Sequence, residues 1–408
     1  MDITLHKSQI ANRKSKITIT GSKSESNRLL LLQALYPETQ LKNISNSDDS
    51  NLMMAALKSE SKLVDIHHAG TAMRFLTAYF AVKDGRETVL TGSKRMKERP
   101  IKILVDALHH LGAEISYLEN EGFPPIKIKG KKLIEHRVAL NANVSSQYIS
   151  ALLLIASKLE NGLELTLNGD ITSMPYIKMT LSLLDELGIE SSFKNQVITV
   201  KPNTNPITPK TVVVESDWSS ASYYYSIAAL SKLGTEITLS SYKPTSLQGD
   251  SALADIYKHF GVSSTFNNNS VTLRKESTNM QPLNLDLKHA PDIAQTIAVT
   301  CFGLGIACHL TGLHTLKIKE TDRLVALKTE IEKLGGQVQI TDKSLQLEPS
   351  KKIHPNVSIA TYNDHRMAMA FAPLSLRVPL IIEDAEVVSK SYPSFWNDLK
   401  SIGFKITE

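Results

Sequence analysis

A chain of 408 residues exceeds what one ordinary hydrophobic core organises, so two domains are the default. Its 42% apolar and 21% charged residues exclude a disordered chain, and it has no apolar run near the roughly 20 residues that a bilayer span requires. A formal charge of +5 without a basic block interleaved with aromatics gives nucleic acid no footprint, and two cysteines, Cys301 and Cys308, imply no disulfide framework. The N-terminal segment has no apolar signal region, and a reducing cytoplasm is the expected compartment.

In chain order, the first predicted helix covers residues 24–35, SESNRLLLLQAL, and opens on Gly21, Ser22 and Lys23. It is apolar on nearly every side, as a helix buried all round must be. Five more runs of this kind follow, at residues 69–82, 145–157, 219–231, 292–305 and 363–376, each opened by a polar tip. Aligned by tip, Arg28, Arg74, Tyr148, Tyr223, Gln295 and Arg366 take equivalent places, at intervals of 46 and then 71 to 75 residues. A strand is predicted after each run, at residues 41–45, 88–92, 163–169, 235–241, 307–313 and 379–385. A second, amphipathic helix then closes the unit, as at residues 99–115, 175–192 and 320–340, where Leu-Gly marks the helix end because glycine takes the left-handed cap cheaply. The chain therefore reads as six α/β units, the first shortened, three to a domain.

Polar helix tips serve either as ordinary N-caps or as an anion site, since helix N-termini present unpaired N–H groups and partial positive charge. Lys23, Ser24 and Arg28 at the first tip supply charge and a hydroxyl suited to phosphate or carboxylate. Gly70 lets a backbone N–H approach a ligand without a Cβ in the way. Arg95, Lys97 and Arg99 crowd the approach to a helix, and Ser145, Ser146 and Gln147 offer neutral hydrogen-bonding groups. Lys319 and Arg323 flank Glu320, Asn363-Asp364-His365-Arg366 repeats the theme, and Lys390 lies near the C-terminal helix. No Walker motif, zinc-ligand spacing or nucleophile elbow occurs, so neither metal nor cofactor is expected.

These segments resemble the 5-enolpyruvylshikimate-3-phosphate synthase family of enolpyruvyl transferases. GSKSESNRLLLLQAL, SDDSNLMMAAL, AGTAMR, RMKERP, VSSQYISALLL, SMPYI, HAPDIA, KETDRL and YNDHRMAMAF fall in the family's order and cover almost the whole chain. The resemblance implies two similar α/β (α+β) domains of three βαβαββ-type repeats each, inside-out α/β barrels with buried central helices, and an active site in the cleft between them. Residues 23–216 would form one domain; residues 1–22 and 217–408 would form the other. It also implies a monomer that uses the small molecules phosphoenolpyruvate and shikimate 3-phosphate, with no nucleic-acid or membrane partner.

By the same resemblance, Arg323 and Arg366 would clamp the phosphoenolpyruvate carboxylate, and Lys23, Gly70, Arg99, Gln147 and Lys390 would hold its phosphate. Shikimate 3-phosphate would meet Lys23, Ser24, Arg28, Ser145, Ser146, Gln147, Ser173, Tyr176, Asp292 and Lys319. Asp292 would take the proton of the attacking hydroxyl, Glu320 would protonate the methylene, and Lys23 would assist the departing phosphate. Seven cations (Lys23, Arg28, Arg99, Lys319, Arg323, Arg366 and Lys390) would repel one another without ligand, so closure on binding is expected.

His68, Phe75 and Thr315 depart from the family pattern, which has Asn, Pro and Asn there. A sister family acting on UDP-N-acetylglucosamine carries a reactive cysteine in its mobile loop, where this chain reads RMKERP. A non-catalytic anion binder on the same scaffold would be expected to have lost Asp292, Glu320 or Lys23; all three are present.

Overall fold

A computed structural model describes all residues except 11–13, 143–144, 172–173 and 204–207. The chain divides into two compact units, Met1–Thr20 with Glu215–Glu408 and, separately, Gly21–Val214. Among the described residues no helix is long and apolar enough to cross a membrane.

In the unit Gly21–Val214 the central helices are α1 (Lys23–Leu35), α2 (Gly70–Ala81) and α3 (Ser146–Ala156). In the other unit they are α4 (Trp218–Leu230), α5 (Ala294–Leu304) and α6 (His365–Phe371). All six predicted apolar runs are therefore helices, the sixth shorter than its run because it passes into a 3-10 turn at Ala372–Leu376, where Pro373 lacks an N–H to continue the ladder. Burial follows composition. In α2, α3, α4 and α6 every residue is buried but one, respectively Thr71, Gln147, Ser219 and Arg366. Each exception is the second residue of its helix. The helices thus reach the surface only at their N-terminal tips.

Among the described residues the strands form six sheets, five of four strands and one of two. A regular unit runs β1 (Leu63–Asp65), α2, β2 (Glu87–Thr91), a second helix at Lys102–His110, then β3 (Glu114–Tyr117) and β4 (Ile126–Lys129). The strands flanking the buried helix pair in parallel, Leu63 opposite Val89, and the hairpin adds to them antiparallel. Alternation of the Ile and Val side chains sets which face is buried. The same βαβαββ order recurs from Arg137 to Val200 and from Leu283 to Leu347. The Leu-Gly signals hold: Gly112, Gly188 and Gly335 have φ of +97°, +77° and +94°.

Two details differ from expectation. The strand expected at residues 41–45 lies at Thr39–Lys42, because Asn43 turns left-handed at φ 57° and ends it. The leading strands of two repeats are also exchanged. Lys14–Ile17 precedes α1 yet pairs in parallel with Glu236–Ser240, whereas Lys210–Val213 precedes α4 yet pairs with Thr39–Lys42. The shortened first repeat is this two-stranded sheet.

Candidate active site

The unit Gly21–Val214 carries a cluster of cations satisfied by neutral groups. Arg28, in the second turn of α1, is 2% exposed and donates from Nε to Thr180 Oγ1 at 2.8 Å, from Nη1 to the Ser24 carbonyl at 2.7 Å and from Nη2 to Ser150 Oγ at 2.9 Å. Its Cζ lies 5.4 Å from the centre of the Phe75 ring and 5.8 Å from that of Tyr176, within cation–π range. Burial pulls its guanidinium down to about 10. Arg74 is similarly buried, bonded to the carbonyls of Gly70 and Pro100, and lowered to about 10 by burial and by Arg99. These partners provide hydrogen bonds without cancelling charge, so this cluster keeps its attraction for anions.

Around it stand the other predicted groups. Lys23 Nζ lies 4.0 Å from Asp49 Oδ2. A Cβ placed on Gly70 would come within 2.3 Å of Arg99 Nη1, so the Arg99 guanidinium rests on the backbone of the α2 tip and would have to move for any other residue there. Gln147 Nε2 donates to Thr71 Oγ1 at 3.2 Å, joining the tips of α2 and α3. Ser145 caps α3 by accepting from the Gln147 N–H, and Ser146 is buried at the helix start. At α1 and α2 no side chain caps the helix. Ser173 falls outside the described residues.

In the other unit the cations are bound by carboxylates. Arg323, 1% exposed at the start of the helix Arg323–Lys333, donates from Nη1 to Asp292 at 2.8 Å, from Nη2 to Glu320 at 2.8 Å and from Nε to Asp364 at 2.6 Å. Burial by itself would lower Arg323; Asp364, Glu320 and Asp292 more than reverse that and raise it. Arg366 Nη2 lies 3.4 Å from Asp292 Oδ2, Lys319 Nζ lies 3.4 Å from Asp292 Oδ1, and Arg366 Nη1 donates to the Asp292 carbonyl at 3.2 Å. Lys390 Nζ donates to the Asn363 carbonyl at 2.6 Å. Asp292 could have served merely as a helix cap. Instead α5 begins at the Ile293 cap with no side-chain bond, and the Asp292 carboxylate meets three cations. Glu320 keeps a side chain 37% exposed, open to a reactant.

The charge count made from the sequence omitted these acids. Lys319, Arg323 and Arg366 are paired within their own unit, so mutual repulsion of seven bare cations is not the state of the molecule. Sequence reasoning also passed over Asp364 as a ligand of Arg323, Thr180 and Ser150 as partners of Arg28, and Asp250. The Asp250 carboxyl, buried and bonded to Ser219 Oγ, is pushed up to about 6 by burial and by Asp292. Asp364 stands within the motif YNDHRMAMAF. Ser150 stands within the motif VSSQYISALLL and Thr180 within the predicted helix 175–192, but their contact with Arg28 is made by packing. Of the departures, Phe75 packs on Arg28, and Thr315 Oγ1 is buried without a hydrogen bond. The tip alignment does not mark one helical level: Arg366 is second in its helix, whereas Arg28 and Arg74 lie a turn deeper. Cys301 and Cys308 are free and buried, and burial raises the Cys301 thiol. Among the described residues no group of three or more His, Cys, Asp or Glu is placed to hold a metal ion.

The chain is similar to known proteins in sequence and in fold. Residues 58–399 match the family model for EPSP synthase (3-phosphoshikimate 1-carboxyvinyltransferase). A 3-phosphoshikimate 1-carboxyvinyltransferase of Bacteroides fragilis is 46% identical over 398 residues, 96% of each chain. One of Haemophilus influenzae is 36% identical over 423 residues, covering 95% of this chain and 96% of that one. Among solved structures, an EPSP synthase of Acinetobacter baumannii superposes with a TM-score of 0.84 at 20% identity over 100% of both chains. The enolpyruvyl transferase NikO of Streptomyces tendae does so at 0.75 and 12%, over 100% of this chain and 98% of its own. At those identities the two structures speak for the fold alone.

Proposed function

This chain belongs to the EPSP synthase (3-phosphoshikimate 1-carboxyvinyltransferase) family, and on that premise we propose how its own residues carry out the reaction. The enzyme transfers the enolpyruvyl group of phosphoenolpyruvate to the 5-hydroxyl of shikimate 3-phosphate and releases phosphate, a step toward aromatic amino acids.

One observation carries the assignment of roles: Asp292 and Glu320 bind the two Nη atoms of one buried guanidinium, that of Arg323. Two carboxylates fixed to a common cation stand in a defined geometry, and addition followed by elimination needs two such groups. Asp292 accepts the proton of the 5-hydroxyl as its oxygen attacks the enol carbon. Glu320, entering this step in its acid form, gives a proton to the methylene, which becomes methyl, and is left as the carboxylate. In the second half the C–O bond to phosphate breaks and Glu320 takes a methyl proton back, restoring the double bond. Lys23 neutralises or protonates the departing phosphate. Arg323 and Arg366 hold the carboxylate of phosphoenolpyruvate. Lys390, Arg99, Gln147 and the Gly70 N–H hold its phosphate.

Shikimate 3-phosphate takes the pre-charged cluster. Arg28 is already ordered by Ser150, Thr180, Phe75 and Tyr176, so little side-chain entropy remains to be lost on binding. Lys23, Ser24, Ser145, Ser146, Gln147 and Ser173 complete that contact, with Lys319 and Asp292 reaching the same substrate. The burial of α1 to α6 supports a finer reading of each unit as an inside-out barrel, its helices enclosed by its three sheets.

The test is phosphate release from the two substrates together. Glu320→Gln and Asp292→Ala are expected to fold and to lose about a hundredfold or more in turnover, the scale of general acid–base catalysis. Near-normal turnover in either variant removes that residue from the mechanism.

A further inference from the structure

The helix Arg323–Lys333 carries a second buried acid, two turns beyond Arg323. Glu330 is 0% exposed. Its Oε1 accepts from the Tyr362 hydroxyl at 2.6 Å and its Oε2 from the Ala360 N–H at 3.3 Å, while Lys333 Nζ lies 2.9 Å from Oε1 and 2.8 Å from Oε2. A buried carboxylate persists only when it is paired and hydrogen-bonded, and this one is. Two of its three partners belong to the segment between the strand Val357–Ile359 and α6.

That segment is strained. Tyr362 and Asn363 have φ of +55° and +56°, a region that residues with a Cβ enter only where the surroundings impose it. The turn directs Asp364 so that one oxygen accepts from Arg323 Nε and the other from the Arg366 N–H. Lys390 ties the turn from another side, through the Asn363 carbonyl. A phosphate arriving at Lys390 competes with that tie, whereas the bond to Glu330 ends on a carboxylate that is 0% exposed.

We propose that Glu330 and Tyr362 are positioning residues, whose hydrogen bond, anchored on the buried Glu330 carboxylate, holds the left-handed turn that sets Asp364 and, through it, Arg323 and Arg366. The inference rests on the reading of those arginines as the phosphoenolpyruvate clamp. Neither Glu330 nor Tyr362 is among the residues assigned above to a reactant.

Steady-state kinetics and thermal melts on the full chain test it. Tyr362→Phe removes the hydroxyl alone. It is expected to raise KM for phosphoenolpyruvate about five- to tenfold, the worth of one ordinary hydrogen bond, with KM for shikimate 3-phosphate within about twofold. Glu330→Gln has one acceptor oxygen where two are used, so it loses one tie and shows the same split at smaller size. Lys333→Met breaks neither tie to the turn; it lowers the melting temperature and leaves both KM values in place. If all three variants melt lower alike while KM for phosphoenolpyruvate stays put, the role is structural and the proposal is overturned. It is overturned as well if only Glu330→Gln folds and its KM values are unchanged. Arg366→Ala, measured alongside, separates the premise from the inference. Normal kinetics there would sink the clamp itself, whereas a crippled Arg366→Ala beside a normal Tyr362→Phe would sink only the positioning pair.

Discussion

Arg28 and Arg323 are both buried arginines, and their surroundings assign them opposite electrostatic roles. Arg28 is held by hydroxyls, a carbonyl and two rings, and its positive charge remains available to a ligand. Arg323 is held by three carboxylates, so its charge is spent on ordering Asp292, Glu320 and Asp364. A fourth acid, Asp250, gives a pH signature. Its carboxyl is raised from 3.8 to about 6, so the folded state keeps a proton that the unfolded chain has lost. The sign follows from linkage: stability from this group is present below about pH 4 and disappears as pH rises to about 6. Asp250→Asn, which still accepts from Ser219, is expected to melt higher than the parent above pH 6 and to lose that advantage near pH 4. Melting curves across pH read this directly, and parallel curves for the two proteins would refute it.

At the scale of elements, the central helices α2, α3, α4 and α6 are sealed along their length and open at the second residue. This is what turns an unusually apolar helix into a presenting device: Leu152, Leu153 and Leu154 fix α3 so firmly that Gln147 has one place to be. Leu153→Ala is therefore expected to cost about 2 to 5 kcal/mol of stability, the range for large-to-small core changes. Below its lowered melting temperature both KM values should remain near those of the parent. A large KM change without loss of stability would show that α3 is not the rigid support described. The turns between elements matter as much, since the left-handed pair Tyr362–Asn363 places Asp364 where no regular helix start would.

For the molecule as a whole, two units with separate cores predict more than one unfolding transition. Lys23, Arg28, Ser145, Ser146, Gln147 and Tyr176 all lie in the unit Gly21–Val214, so shikimate 3-phosphate alone should raise that unit's transition most. At a hundred times Kd the added stability is about 2.7 kcal/mol. Calorimetry with Arg28→Ala as the comparison measures it, and an equal shift in the variant would take Arg28 out of the binding site.

The sequence by itself determined the six buried helices, the strands that follow them, the glycine caps and the order of the motifs, because periodicity and turn chemistry are local properties that the side chains state directly. It also carried the family resemblance, since charged tips such as those at Lys23, Lys319 and Arg366 stand in short contiguous runs. Tertiary structure decided what those charges face. Asp49, Asp250, Asp364 and Thr180 reach Lys23, Ser219, Arg323 and Arg28 across long stretches of chain, and Glu330 reaches Tyr362 likewise, so no spacing announces those contacts. The strand that each exchanged leading strand joins, and its register, were likewise left open, because a strand's residues specify its pleat and its buried face but not which of two similar neighbours it joins.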